Sequence, residues 1–130
     1  MQLFLKKSGF NVDLPYGALD ISGDEEYGFR PFQLMVCSIA GCSGNVFRKI
    51  LEKQRVDFDD LVVNAEAERN PDEANRIEKI TLHFIVKGRN LDDDKLYKNL
   101  EVAKRNCSMI RSVENSIVIE ESLEGIEISR

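Results

Sequence analysis

A helix that is apolar on nearly all sides constrains a chain strongly, because other structure must cover it all round. Residues from about Pro31 to Gln54 read as such a helix. Proline suits the first turn, where its missing N–H would have had no intrahelical partner. Phe32, Leu34, Met35, Val36, Ile39 and Ala40 are then distributed around the circumference. After Val46 and Phe47 the sequence is charged apart from Ile50 and Leu51, so the second half is expected to emerge toward solvent. Gly41 and Gly44 interrupt the middle. Each costs roughly 1 kcal/mol against alanine in a helix interior, which predicts a close approach there by another element or a ligand.

The other elements are shorter or half-buried. Leu3 and Leu5 alternate with polar neighbours, and Ser8-Gly9 signals a turn before Phe10 to Leu14, so the N-terminal segment reads as short strands. Asp20 to Gly28 is acidic and glycine-flanked, a solvated flexible connector. Val56 to Arg69 reads as a strand whose apolar parity switches at Asp59-Asp60, as a bulge would make it. Asn70-Pro71-Asp72-Glu73 is a turn, and Ile77 to Lys87 is a strand with Ile80, Leu82, Phe84 and Val86 on its core face and His83 on the other. Asp92-Asp93-Asp94 opens a second helix by capping free N–H groups and complementing the positive end of the dipole. Asn106 to Val113 continues as a turn or short helix, Ser116 to Glu121 is a strand, and Ile126 to Ile128 a further one. With 130 residues and no linker or repeat, the chain is expected to form a single domain over 1–130.

Charge and cysteine usage exclude several functions. Lys plus Arg number 18 against 23 Asp plus Glu, a formal net charge of −5. Such a chain gains nothing from counterion release, so no nucleic-acid partner is expected. No apolar run approaches the roughly 20 residues that span a bilayer, and the charges at Lys6-Lys7 follow too short an apolar stretch for a signal peptide. The expectation is a cytoplasmic protein without a membrane partner. Three cysteines, Cys37, Cys42 and Cys107, argue against a secreted disulfide framework. With one histidine and no paired ligand spacing, no metal site is expected. His83, for which sequence places no partner, reads as a solvent-facing or interface residue.

Two of the thiols occupy matching positions. Met35, Ile39, Cys42 and Val46 run at spacings of four, three and four, and so do Leu96, Leu100, Ala103 and Cys107. Cys37 lies about 140° around its helix from Cys42 at 100° per residue, on another face. Thiols on facing stripes could meet as a redox pair, or both could be independent core residues; 65 residues of separation impose no local constraint. A disulfide between them would close a loop worth roughly 4 kcal/mol. Cys42 lies eleven residues beyond Pro31. Its own helix dipole fades within the first turn, so apolar surroundings are expected to raise its pKa.

Pro31-Phe32-Gln33-Leu34-Met35 and Ala40-Gly41-Cys42, a strand pair, and a second helix ending in Asn106-Cys107 together resemble the OsmC/Ohr family, the osmotically inducible and organic hydroperoxide resistance proteins. The likeness covers about Phe29 to Val113. It implies an α+β OsmC-like fold, antiparallel β-sheets packed with two long helices in an intertwined homodimer. It also implies a thiol-dependent reduction of organic hydroperoxides in which Cys42 is peroxidatic and Cys107 resolving. The partners would be a hydroperoxide substrate and a dithiol reductant, with no cofactor. Apolar lining from Met35, Ile39 and Val46 would suit organic peroxides, and Cys37 matches no catalytic position and has packing as its role. The family's helix glutamate falls where this chain has Phe32 and Gln33, Arg30 lies outside the family's earlier arginine segment, and Ser108 follows Cys107 where proline is usual. The alternative reading is a non-catalytic dimeric OsmC-fold protein binding a small apolar ligand. An Arg30 that reaches Cys42 would favour the redox reading.

Overall fold

A computed structural model describes residues 1–129. It divides into two compact units, residues 1–35 and the chain from Val36 onward.

The first unit is a three-stranded antiparallel sheet of β1 (Leu3–Leu5), β2 (Phe10–Asp13) and β3 (Ala18–Ile21), in that order. Gly9 takes φ +88, and a Cβ there would fall 2.0 Å from the Ile21 carbonyl oxygen, so only glycine fits the turn into β2. The connector expected from Asp20 onward differs from its reading. Asp20 is a strand residue held by Lys6 at 2.9 Å and by the Asn11 amide at 2.8 Å, and its pKa is lowered by the Lys6 contact first and Asn11 second. The following segment is tied back by Ser22 N–H to the Phe29 carbonyl (3.1 Å) and Phe29 N–H to the Asp20 carbonyl (2.8 Å). Val12 is buried, whereas Leu3, Phe4 and Leu5 are all exposed.

Helix α1 (Pro31–Lys53) leads into the second unit, which continues with β4 (Asp57–Asn70), β5 (Arg76–Arg89), α2 (Asp93–Asn106), α3 (Ser108–Val113) and β6 (Val118–Glu127). The sheet order is β4-β5-β6. The expected parity switch in β4 is a register shift between Phe58 and Asp60. Asp59 is left out of the ladder and instead takes a bidentate contact from Arg89 at 3.1 and 2.9 Å. Every second residue of β5 faces the core, and Ile80, Leu82, Phe84 and Val86 are fully buried. Asp92 caps α2 by accepting the Lys95 N–H.

Two features depart from the sequence reading. The final strand is one continuous element through Ile126 rather than two, and it runs parallel to β5. The helical connection through α2 and α3 carries the chain back along the sheet, which is how parallel neighbours are joined. Helix α1 buries a single stripe, Ile39, Ser43, Gly44, Phe47 and Leu51, not its whole circumference. One sheet face covers one side: the Phe47 and Phe84 rings meet edge-on at 5.4 Å, and a Cβ on Gly44 would lie 3.1 Å from Val63 Cγ2. The close approach expected at the glycines is therefore real at Gly44, while Gly41 faces open space. By length and composition α1 is also long and apolar enough to cross a membrane, contrary to the expectation that no such segment exists. Its buried stripe packs against the β4-β5-β6 sheet.

Candidate functional site

The two stripe thiols come together at the end of α2. Leu96, Leu100 and Ala103 bury one face of that helix, which carries Cys107 into the core with no exposed surface. Cys107 is no longer helical. Extended φ/ψ of −84 and 111 make it both the last cap of α2 and the first of α3, and its Sγ accepts the Ile110 N–H at 3.5 Å. This break turns the first residues of α3 toward α1, where Cys42 is partly exposed beside the buried stripe. The Cys42 and Cys107 thiols lie close enough to influence each other's protonation. The Ser108 hydroxyl lies 3.7 Å from Cys42 Sγ.

The environment pushes the two thiols in opposite directions. Cys42 is lowered, first by the Met109 backbone N–H, then by the Cys107 thiol and by the hydroxyl and N–H of Ser108, against a burial effect that raises it. Cys107 is raised, first by burial and also by its contact with Cys42. The expectation of a raised Cys42 is thus corrected. Its own helix dipole is indeed remote, but another segment supplies the donors. Ser108, at the position where proline is usual, contributes an N–H and a hydroxyl that proline lacks.

The other cysteine is exposed rather than packed, so the core role expected for Cys37 is not observed. Arg30 stacks on Phe32, its guanidinium 4.8 Å from the ring centroid; the donors that lower Cys42 are neutral. His83 lies on the outer sheet face, with Nδ1 2.7 Å from the Ser122 hydroxyl and Nε2 3.7 Å from Glu124. Among the described residues, no group of three or more His, Cys, Asp or Glu side chains is placed to hold a metal ion. A cleft of about 300 Å³ is lined by Arg55, Asp57, Arg89, Asp92 and Lys95 together with the apolar Val56, Leu91 and Leu96.

Sequence reasoning missed a polar element beside this pair. Ser43, the residue after Cys42, is fully buried, and its hydroxyl donates to Glu121 Oε2 at 2.9 Å. Glu121 sits on the core parity of β6 with Ile119 and Leu123. A carboxylate on an apolar strand face was the available signal.

Comparisons with known proteins bear on the family and the fold. The sequence model described as OsmC-like protein matches residues 23–122. Protein YhfA of Escherichia coli K12 is 32% identical over 97 residues, 74% of this chain and 72% of that protein. Among solved structures, a hypothetical protein from Aquifex aeolicus superimposes with a TM-score of 0.87 at 21% identity, covering 98% of this chain and 96% of that one. An organic hydroperoxide resistance protein from Elizabethkingia anophelis gives a TM-score of 0.72 at 12% identity, covering 98% and 94%.

Proposed function

The chain belongs to the OsmC-like protein family, and from that premise we propose that it is a cysteine-based redox protein that reduces organic hydroperoxides. The observation that carries the reading is that Cys42 faces the hydroxyl of Ser108, the residue after the buried Cys107, at 3.7 Å, with Cys42 lowered and Cys107 raised. A nucleophile needs thiolate character at neutral pH, while its resolving partner can wait as a buried thiol.

The Cys42 thiolate attacks the distal oxygen of the peroxide. The O–O bond breaks, an S–O bond forms, and the alkoxide leaves with a proton as the alcohol. Cys107 sulfur then attacks the resulting sulfenic acid, forming the disulfide as the S–O bond breaks and its own proton leaves in water. A dithiol reductant reopens that bond by exchange, supplying two electrons. The Ser108 hydroxyl and the Met109 N–H hold the negative charge on Cys42 before attack. Ile39, one turn before Cys42, is buried, and Val46 follows one turn after; this apolar flank favours an organic substituent on the peroxide.

The same reading makes the protein a single OsmC-like domain that works in the cytoplasm as an intertwined homodimer. The exposed Leu3, Phe4 and Leu5 support it as a surface that a second copy would cover. The test is consumption of an organic hydroperoxide with a dithiol reductant, wild type beside Cys42→Ser. Turnover in the wild type that disappears in the variant is the expected result. Equal turnover in both, or none in either, rejects the assignment.

A further inference from the structure

Ser43, Glu121 and Lys104 form a partly buried polar tie that the thiol chemistry does not use directly. It joins three elements. Ser43 on α1 donates to Glu121 Oε2 on β6 at 2.9 Å, and Lys104 on α2 donates to the Ile119 carbonyl of β6 at 2.9 Å. Lys104 also acts on Glu121 electrostatically. The second carboxylate oxygen, Oε1, is buried without a hydrogen-bond partner. A buried polar group left in that state costs stability, so apolar packing would be the economical choice if only stability were at stake.

Placement along the chain points to another use. Ser43 is the residue after Cys42, and Lys104 stands three residues before Cys107. Both cysteine-bearing helices are therefore tied to one strand within a turn of their thiols. A small rotation of α1 would withdraw Cys42 from the Ser108 hydroxyl, which already lies at 3.7 Å, and from the Met109 N–H. Hydrogen bonds weaken steeply with such misplacement.

We infer that Glu121 is a positioning residue for Cys42, acting through the Ser43 hydroxyl to hold that turn of α1 against β6 and keep the thiol in front of its donors. This rests on the reading of Cys42 as the reactive thiol. The pH profile of Cys42 alkylation tests it on intact protein in a Cys37→Ser background, with the modified residue assigned by peptide mapping. Ser43→Ala and Glu121→Ala should each move the alkylation midpoint to higher pH and slow alkylation at neutral pH by up to about threefold, the net effect of about one pKa unit once the greater nucleophilicity of the more basic thiolate is counted. The double variant should be no slower than the slower single one, because both cut the same tie. Glu121→Gln keeps a carbonyl acceptor for Ser43 and should stay near wild type, whereas a purely electrostatic role would make it faster. A folded Ser43→Ala protein with an unchanged profile overturns the inference, even if Glu121→Ala does not fold. Since no peroxide enters the assay, that result would leave the peroxidase reading standing, and an inert Cys42 toward peroxide would leave the positioning role standing.

Discussion

Ser108→Pro is the substitution that most sharply separates donor chemistry from packing. The backbone tolerates it. Ser108 is the first residue of α3, a position that favours proline, and Cys107 already has the extended conformation that precedes a proline, φ −84 and ψ 111. The fold should be retained while the N–H and the hydroxyl of residue 108 both disappear from Cys42. A hydrogen bond to a charged acceptor is worth about 1.5–3 kcal/mol. The long hydroxyl contact of 3.7 Å and the partial exposure of Cys42 place the combined loss near the lower end, about 1.5 kcal/mol, since water screens what remains. That is about a tenfold fall in thiolate population at neutral pH. The remaining thiolate is more basic and intrinsically more nucleophilic, with a Brønsted slope near 0.4–0.5, so the observed rate should fall by only about threefold. Stopped-flow alkylation across pH in a Cys37→Ser background measures both quantities, and circular dichroism checks the fold. A folded Ser108→Pro variant whose alkylation midpoint stays put or moves to lower pH would refute the role assigned to these donors.

Other expectations follow from the packing and the buried carboxylate. Gly41→Ala adds its Cβ in open space and should stabilise the chain by up to about 1 kcal/mol in urea unfolding. Gly44→Ala, facing Val63 Cγ2 at 3.1 Å, should gain less or destabilise. Phe84→Ala removes a fully buried ring in contact with Phe47 and should cost about 3–5 kcal/mol by the same assay. Burial raises the Glu121 carboxyl above its ordinary 4.5, so the folded chain holds that proton more tightly than the unfolded one. Its contribution is complete below 4.5 and is lost as pH rises through the raised value. Denaturant midpoints of wild type should therefore fall relative to Glu121→Gln over that window; a parallel pH dependence in both proteins would contradict the assignment.

Much of the fold was legible because single elements carry period-specific patterns. The alternation in β5, the Asp59 bulge, the Asp92 cap and the Leu96-to-Cys107 stripe depend on neighbours within one element, and each is found where its pattern placed it. The burial of Cys107 was legible for the same reason, since it ends the α2 stripe. The Met35-to-Val46 stripe that carried Cys42 is not the buried one: Met35 is exposed and Cys42 lies beside Ile39, Ser43 and Phe47. What failed depends on tertiary partners. The one-sided burial of α1 reflects how much sheet the chain brings to it, which an all-apolar circumference does not encode. The direction of the Cys42 shift depends on the break at Cys107 aiming Ser108 and Met109 at another helix. Spacing along α1 contains no trace of that. Asp20 read as a loop because its acidic neighbours outweighed a short strand whose ladder partner, β2, lies outside the segment.

The most direct test is the fate of the three thiols after a single equivalent of an organic hydroperoxide, followed by thiol titration and non-reducing peptide mapping. A Cys42–Cys107 pair predicts that two thiols vanish together, that peptides containing residues 42 and 107 are joined, and that Cys37 survives. Survival of all three thiols, or oxidation confined to the exposed Cys37, would contradict it.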